Sequence, residues 1–156
     1  MIQRIQTLYL LIIVIAMSLT LFLPSMKAIS PEEIDYALST LRGLYPIEEG
    51  GFHLNGVTMW LTITNVVILL IAFFTIITYK WRVIQMRFSS FNMVLLIGYY
   101  AIFFFTRYVI LQQTPMTSTT FSWPIILPFI SAILTYLALR AIAKDEALVR
   151  SLDRLR

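Results

Sequence analysis

No cysteine occurs anywhere in the chain of 156 residues. Disulfides, thiolate metal sites, iron–sulfur clusters and the paired-thiol chemistry of membrane thiol oxidoreductases are thereby excluded. The redox character of the compartment stays open, because a protein without thiols is indifferent to it. Charge is scarce as well: 13% of residues are charged, against about 25% in an average soluble protein. Histidine occurs once, at His53, near Glu48 and Glu49. Zinc normally takes three or four protein ligands and no second histidine extends this set, so His53 reads as a solvated loop residue. Bis-histidine haem ligation within the chain fails on the same ground. There is no Walker-type loop, dinucleotide fingerprint, Gly-x-Ser-x-Gly elbow or His-Glu-x-x-His helix. No catalytic, cofactor or metal site is read from the residues, and the chain is expected not to be an enzyme.

What the chain has in excess is apolar surface, with 59% hydrophobic residues. Residues 5–23, 57–79 and 121–139 contain no charge, and 91–111 contain only Arg107. As helices rising ~1.5 Å per residue, these runs reach roughly 28 to 35 Å, the thickness of a hydrocarbon core near ~30 Å. The expectation is an all-α membrane protein: a bundle of four transmembrane helices forming a single domain over 1–156. Met26-Lys27-Ala28 fits a signal-peptidase site poorly and the first apolar run is longer than a signal h-region, so it reads as a retained anchor.

Orientation follows from the cations. Lys80, Arg82 and Arg87 lie between the second and third runs, whereas Lys27 and Arg42 are outnumbered by acids between the first and second. Arg4 precedes the first run, and Arg140, Lys144, Arg150, Arg154 and Arg156 follow the fourth. Positive-inside bias places both termini in the cytoplasm. The net charge of +4 flanks hydrophobic stretches instead of forming a stripe with interleaved aromatics, which argues for headgroup contacts and against nucleic acid. Tyr9, Trp60, Tyr79, Trp81, Tyr108 and Trp123 fall near span ends, where amphipathic rings favour the headgroup layer.

Two segments lie outside the apolar runs. In the external loop, 24–56, Ser30-Pro31-Glu32-Glu33 has the form of a helix start: a hydroxyl cap, a first-turn proline, then acids. Ile34, Ala37, Leu38, Leu41 and Leu44 follow at helical spacing before Pro46 and Gly50-Gly51. A short amphipathic helix is expected, and its acidity favours packing on protein, in this chain or a partner, over lipid. The tail, 140–156, has no proline or glycine and should continue the last helix. Ile142, Val149, Leu152 and Leu155 can share one face, with Glu146 and Arg150 paired at i, i+4. Val149, Leu152 and Leu155 are the candidate partner-docking residues. A basic tail lying on anionic headgroups accounts for the tail equally well.

Arg107 is the one charge within a span, and intramembrane charge is costly enough to mark a candidate site. It lies four residues from the span end, so snorkelling or structural pairing is favoured. Thr58, Thr62 and Asn65, at i, i+4 and i+7, fall in the same half of the membrane and allow a polar, outward-facing cleft with Arg107. Threonine and asparagine also serve as glue between helices in lipid, and packing is favoured over a cleft. Ser131, Thr135 and Ala138 are read the same way, and Pro124 and Pro128 as residues shaping the start of a helix.

The opening Met1-Ile-Gln-Arg-Ile-Gln-Thr-Leu-Tyr-Leu and the closing Arg140-Ala-Ile-Ala-Lys-Asp-Glu-Ala-Leu-Val-Arg-Ser-Leu-Asp-Arg-Leu-Arg156 resemble the Bacteroidota membrane-protein family called domain of unknown function 4293. The resemblance covers essentially the whole chain and is distinctive at those two ends. It implies a small four-span protein of the bacterial inner membrane, carries no activity, and transfers no site residues. Two functional expectations stand side by side. One is a non-enzymatic accessory or scaffold subunit that, besides the lipid bilayer, binds a protein partner through its tail or external helix, or binds further copies of itself. The other is a lipid or small-hydrophobe binding or transport protein using the cleft around Arg107 and Asn65.

Overall fold

The structure is a computed structural model that describes residues 2–48, 51, 56–78, 81–113 and 116–153, with side chains of the first and last helices described within residues 5–147. Four helices dominate: α1 (Ile2–Phe22), α2 (Gly56–Ile77), α3 (Arg82–Gln113) and α4 (Leu127–Asp153), the last preceded by a 3-10 turn over Trp123–Ile126. All four are long and apolar enough to cross a membrane, and the mostly helical fold fits a multi-pass membrane protein. α3 starts well before residue 91, because nothing from Arg82 to Arg87 breaks a helix. α4 starts after residue 121, because Phe121 belongs to a strand and Pro124 to the 3-10 turn. The tail continues α4 as expected, as far as Asp153.

Buried residues recur in alternating steps of three and four. α3 buries Gln85, Ser89, Asn92, Leu96, Tyr99, Phe103, Thr106 and Ile110. α2 buries Thr58, Leu61, Asn65, Ile68, Ala72 and Thr75. Gln6, Leu10, Ile13, Met17 and Thr20 in α1, and Ser131, Thr135, Ala138 and Ile142 in α4, follow the same rhythm. An average step of 3.5 residues keeps one stripe facing its neighbour when helices supercoil left-handedly. The helices pack in a ring, α1 against α2 and α4, and α3 against α2 and α4. The outside is apolar, unlike that of a water-soluble bundle, and the seam mixes polar with apolar side chains. Hydroxyls and amides populate the seam, while Leu8, Ile15, Phe73, Phe74, Val94, Ile97, Phe104 and Phe105 stand exposed on the outside. Small and hydroxyl-bearing seam residues let helices approach closely where the surroundings are themselves apolar.

One end of the bundle is covered by a sheet, and here the structure corrects the expected external amphipathic helix. β1 (Pro24–Ile29), β2 (Asp35–Ser39), β3 (Gly43–Pro46) and β4 (Ser118–Phe121) form an antiparallel sheet in the order β3-β2-β1-β4. Ser30 and Pro31 open a tight turn instead of a helix. The Glu33 N–H donates to the Ser30 carbonyl at 3.0 Å, and the Ser30 N–H donates to the Ile34 carbonyl at 3.0 Å. Glu33 takes the left-handed conformation, φ 60°, that closes a three-residue hairpin. Serine followed by proline suits the first two positions of such a turn as well as it suits a helix start. The next turn ends at Gly43, φ 77°, a conformation that glycine adopts without a Cβ penalty. The Leu41 N–H at that turn donates to the Leu21 carbonyl of α1 at 3.0 Å. Met26, Leu38 and Leu44 share the face that packs into the core with Leu10, Ile13 and Met17. Lys27, Ile29, Asp35 and Tyr45 belong to the opposite face.

Candidate functional site

The polar seam thickens where the bundle meets the sheet. α1 contributes Thr20, β1 contributes Ser25, the turn after β2 contributes Thr40, α2 contributes Thr58, Thr62 and Asn65, and α3 contributes Tyr99. All except Thr62 are buried to 1% exposure or less. The Asn65 Nδ2 donates to Thr20 Oγ1 at 3.3 Å, and the Thr20 hydroxyl donates to the Met17 carbonyl at 2.8 Å. The Thr62 hydroxyl donates to the Thr40 carbonyl, with the Thr58 carbonyl at 3.2 Å as the alternative acceptor. The Thr40 and Tyr99 hydroxyls share a 3.1 Å hydrogen bond. Tyr99 also faces Ser25 and Asn65, yet no hydrogen bond closes on Ser25 Oγ or Asn65 Oδ1.

Three helices are thus joined to the sheet by neutral groups, all but Thr62 sealed from the surface. Among the described residues the arrangement holds no charged group and no nucleophile activated by a base. Its chemistry is that of a structural hydrogen-bond network, which fixes relative positions because each buried donor or acceptor is costly to strand.

Arg107 stands apart from this network. Tyr99 and Arg107 are eight positions apart on α3, about 12 Å of helix rise. Arg107 Nη2 donates to Thr119 Oγ1 on β4 at 3.1 Å, and the guanidinium lies 5.0 Å from the Phe121 ring centroid. Its Nε is buried with no partner. Thr119 is paired with Ala28, and Phe121 with Met26, so both belong to the sheet face turned toward the bundle. Arg107 therefore ties α3 to the edge strand β4 instead of joining Asn65.

Thr58, Thr62 and Asn65 are brought together as their spacing implied, but inside a closed interface. Thr20, Ser25, Thr40 and Tyr99 were not foreseen. Tyr99 had a usable signal: Gln85, Asn92, Tyr99 and Thr106 place a polar residue at every seventh position of α3.

A second group of buried polar residues lies toward the other end of the bundle. Gln85 Nε2 donates to the Thr75 carbonyl at 3.3 Å, while Gln6 Nε2, Ser89 Oγ and Asn92 Oδ1 lack partners. Arg82 of α3 pairs with Asp145 of α4 at 3.2 Å, so the beginning of the tail is held by this chain's own bundle. Ile142, one of the expected tail-face residues, is fully buried there. Val149 and Leu152 lie in α4, but their side chains, like Leu155 as a whole, fall outside the described residues, as do Glu49 and His53. Among the described residues there is no cluster of three or more His, Asp or Glu side chains suited to a metal.

Grooves open on the outer surface of the bundle. One of about 370 Å³ between α2 and α3 at the sheet end is lined by Gly56, Val57, Trp60, Ile102, Phe105 and Thr106. Another, of about 290 Å³, runs between α1 and α4 at the opposite end, along Ile5, Tyr9, Leu137, Arg140, Ala141 and Lys144.

The family described as Domain of unknown function (DUF4293) matches residues 2–155. Among curated proteins, none matches the chain.

Proposed function

The chain belongs to that family of unknown function, and from this premise, which carries no activity, we propose that it is a non-enzymatic accessory or scaffold subunit of an inner-membrane assembly. The four helices lie in the bacterial inner membrane with both termini in the cytoplasm and the sheet outside, a placement supported by the cations at the end opposite the sheet. The protein is not an enzyme on this reading, since the buried polar network holds helices and sheet together and offers no reacting group.

The observation that carries the reading is the exposed face of the sheet. Ile29 and Asp35 are cross-strand partners, and the Ile47 N–H donates to the Asp35 carbonyl at 2.8 Å, which sets Ile47, Asp35 and Ile29 side by side. Ile29 and Ile47 are 42% and 45% exposed. Glu32, Glu33 and Glu48 crowd the same margin. Two exposed isoleucines flanking the Asp35 carboxylate, with further acids at the margin and Lys27 on the same face, suit a protein surface that combines apolar and basic groups, where the charges steer approach and the isoleucines supply the buried contact. The tail remains a second docking element through Val149, Leu152 and Leu155.

The test is co-purification at native expression level in mild detergent, with mass-spectrometric identification, for the wild type and for Ile29→Lys/Ile47→Lys. A stoichiometric protein retained by the wild type and lost from the variant is the expected result; an identical set of proteins in both sinks the sheet-docking reading. Since the chain has no cysteine, Lys27→Cys and Lys144→Cys provide single labelling sites. Impermeant thiol reagents applied to intact cells should modify the first and spare the second.

The binding-protein alternative relies on Arg107, Thr58, Thr62 and Asn65. It requires the sheet to lift from the bundle, and loss of ligand binding in Arg107→Ala with unchanged expression is the result that would favour it.

A further inference from the structure

The groove between α1 and α4 combines three features. Its floor is apolar and aromatic, formed by Ile5 and Tyr9 of α1 with Leu137 and Ala141 of α4. Its rim at the end away from the sheet carries Arg140 and Lys144, spaced i, i+4 and therefore on one face of α4. Neither cation has a carboxylate partner among the described residues; Asp145, the acid next to Lys144, is engaged with Arg82 of α3.

The axial position adds a fourth constraint. Trp123–Ile126 as a 3-10 turn and α4 from Leu127 to Arg140 together span about 27 Å at ~2.0 and ~1.5 Å per residue. No charge intervenes between Trp123 and Arg140. With Trp123 at one boundary of a ~30 Å apolar layer, Arg140 lies at the other, with Lys144 one turn further into the headgroup zone.

We propose that this groove is a binding site for one anionic diacyl phospholipid, its phosphate held between the Arg140 guanidinium and the Lys144 ammonium and one acyl chain lying along Leu137, Ala141, Ile5 and Tyr9. The guanidinium fork suits two phosphate oxygens at once, and the lysine supplies a mobile second charge. Basic pockets between membrane helices select anionic headgroups for this reason, while the apolar floor makes a free phosphate ion a poor occupant. The site rests on the bundle's lying in a membrane, and is independent of any protein partner.

Native mass spectrometry of the full chain released from nanodiscs of phosphatidylglycerol or of phosphatidylcholine tests the proposal. The wild type should retain one phosphatidylglycerol and little phosphatidylcholine. Arg140→Gln/Lys144→Gln should lower phosphatidylglycerol retention roughly twentyfold to thirtyfold, each cation near an anionic surface contributing about fivefold. Ala141→Phe, which fills the floor and keeps both charges, should lower it as well. Inorganic phosphate should not compete.

Equal retention of the two lipids, an unchanged level in the charge variant, an unchanged level in the Ala141 variant, or displacement by phosphate would each overturn the lipid site. Alkaline extraction of cell membranes reads the membrane placement separately. Release of the wild-type chain in that assay would overturn the placement itself.

Discussion

The Thr40–Tyr99 hydrogen bond couples the sheet to the bundle, and removing its two ends should give strongly non-additive results. The two hydroxyls are 3.1 Å apart and each residue is 1% exposed. Tyr99→Phe strands the Thr40 hydroxyl in a space water does not reach, which costs about 1–3 kcal/mol. Thr40→Val strands the Tyr99 hydroxyl, but Ser25 and Asn65 face it, and a small rotation toward either holds the loss near ~1 kcal/mol. The double variant removes donor and acceptor together and leaves a methyl group beside a ring, a replacement that is close to neutral. The sum of the single losses is therefore expected to exceed the double loss by about 2–4 kcal/mol. Unfolding by SDS titration in mixed micelles, followed through the exposed Trp60, Trp81 and Trp123, gives all four corners of the cycle. Additive losses would refute the pairing, and a neutral Tyr99→Phe would show that Thr40 has another partner.

Asn65→Leu should leave stability unchanged or raise it by about 0.5–2 kcal/mol in the same titration. Its 3.3 Å bond to Thr20 is of a kind worth about 0.6 kcal/mol between membrane helices, while its unpartnered Oδ1 costs more to bury than that; a loss above ~1 kcal/mol contradicts this balance. Glu33→Gly should stabilise the fold by about 0.5–1 kcal/mol, the relief of a left-handed non-glycine residue less the greater freedom of the unfolded glycine. A lower unfolding midpoint would mean that the Glu33 side chain holds the hairpin. Truncation after Ala143 should cost about 0.5–1 kcal/mol more than truncation after Ala147, because it removes Asp145 from a partly exposed pair with Arg82. Asp145→Asn in the full chain should reproduce the difference in thermal midpoint, and an effect of truncation alone would assign it to lost packing.

The helices were legible because long uncharged runs have few other uses, and the helical tail because nothing from Arg140 onward interrupts it. The sheet was hidden for local and distant reasons. Ala37, Leu38 and Ser39 are all buried, so β2 lacks the polar–apolar alternation that marks a half-buried strand, and Asp35-Tyr-Ala-Leu-Ser39 is short of β-branched residues. Ile34 precedes β2, yet its spacing of four from Leu38 fits one face of a helix, and the Ser-Pro-Glu-Glu segment serves both readings. β4 finds its partner across most of the chain, a pairing that no local pattern encodes.

The polar network was half legible. Thr58 and Asn65 stand seven apart on one helix, whereas Thr40 comes from a turn whose position depends on the sheet. Arg107 was recognisable as exceptional, but its partners Thr119 and Phe121 come into view only once β4 is paired with β1.

The sheet's connectivity carries a consequence for how the chain is made. β1, β2 and β3 lie between the first two helices and are adjacent in sequence, so they can form a meander as soon as they emerge. β4, however, pairs Phe121 with Met26, 95 residues earlier. At a synthesis rate of about 5–20 residues per second, the β1 edge waits roughly 5 to 20 s for the strand that closes it. For that interval the first half of the protein presents β1, a strand of 6 residues, as an open edge of the kind that recruits foreign strands, and the arrival of the third helix moves the edge to β4, a shorter strand of 4 residues. Nascent-chain assembly, more than the finished fold, is where this architecture is most exposed to mispairing.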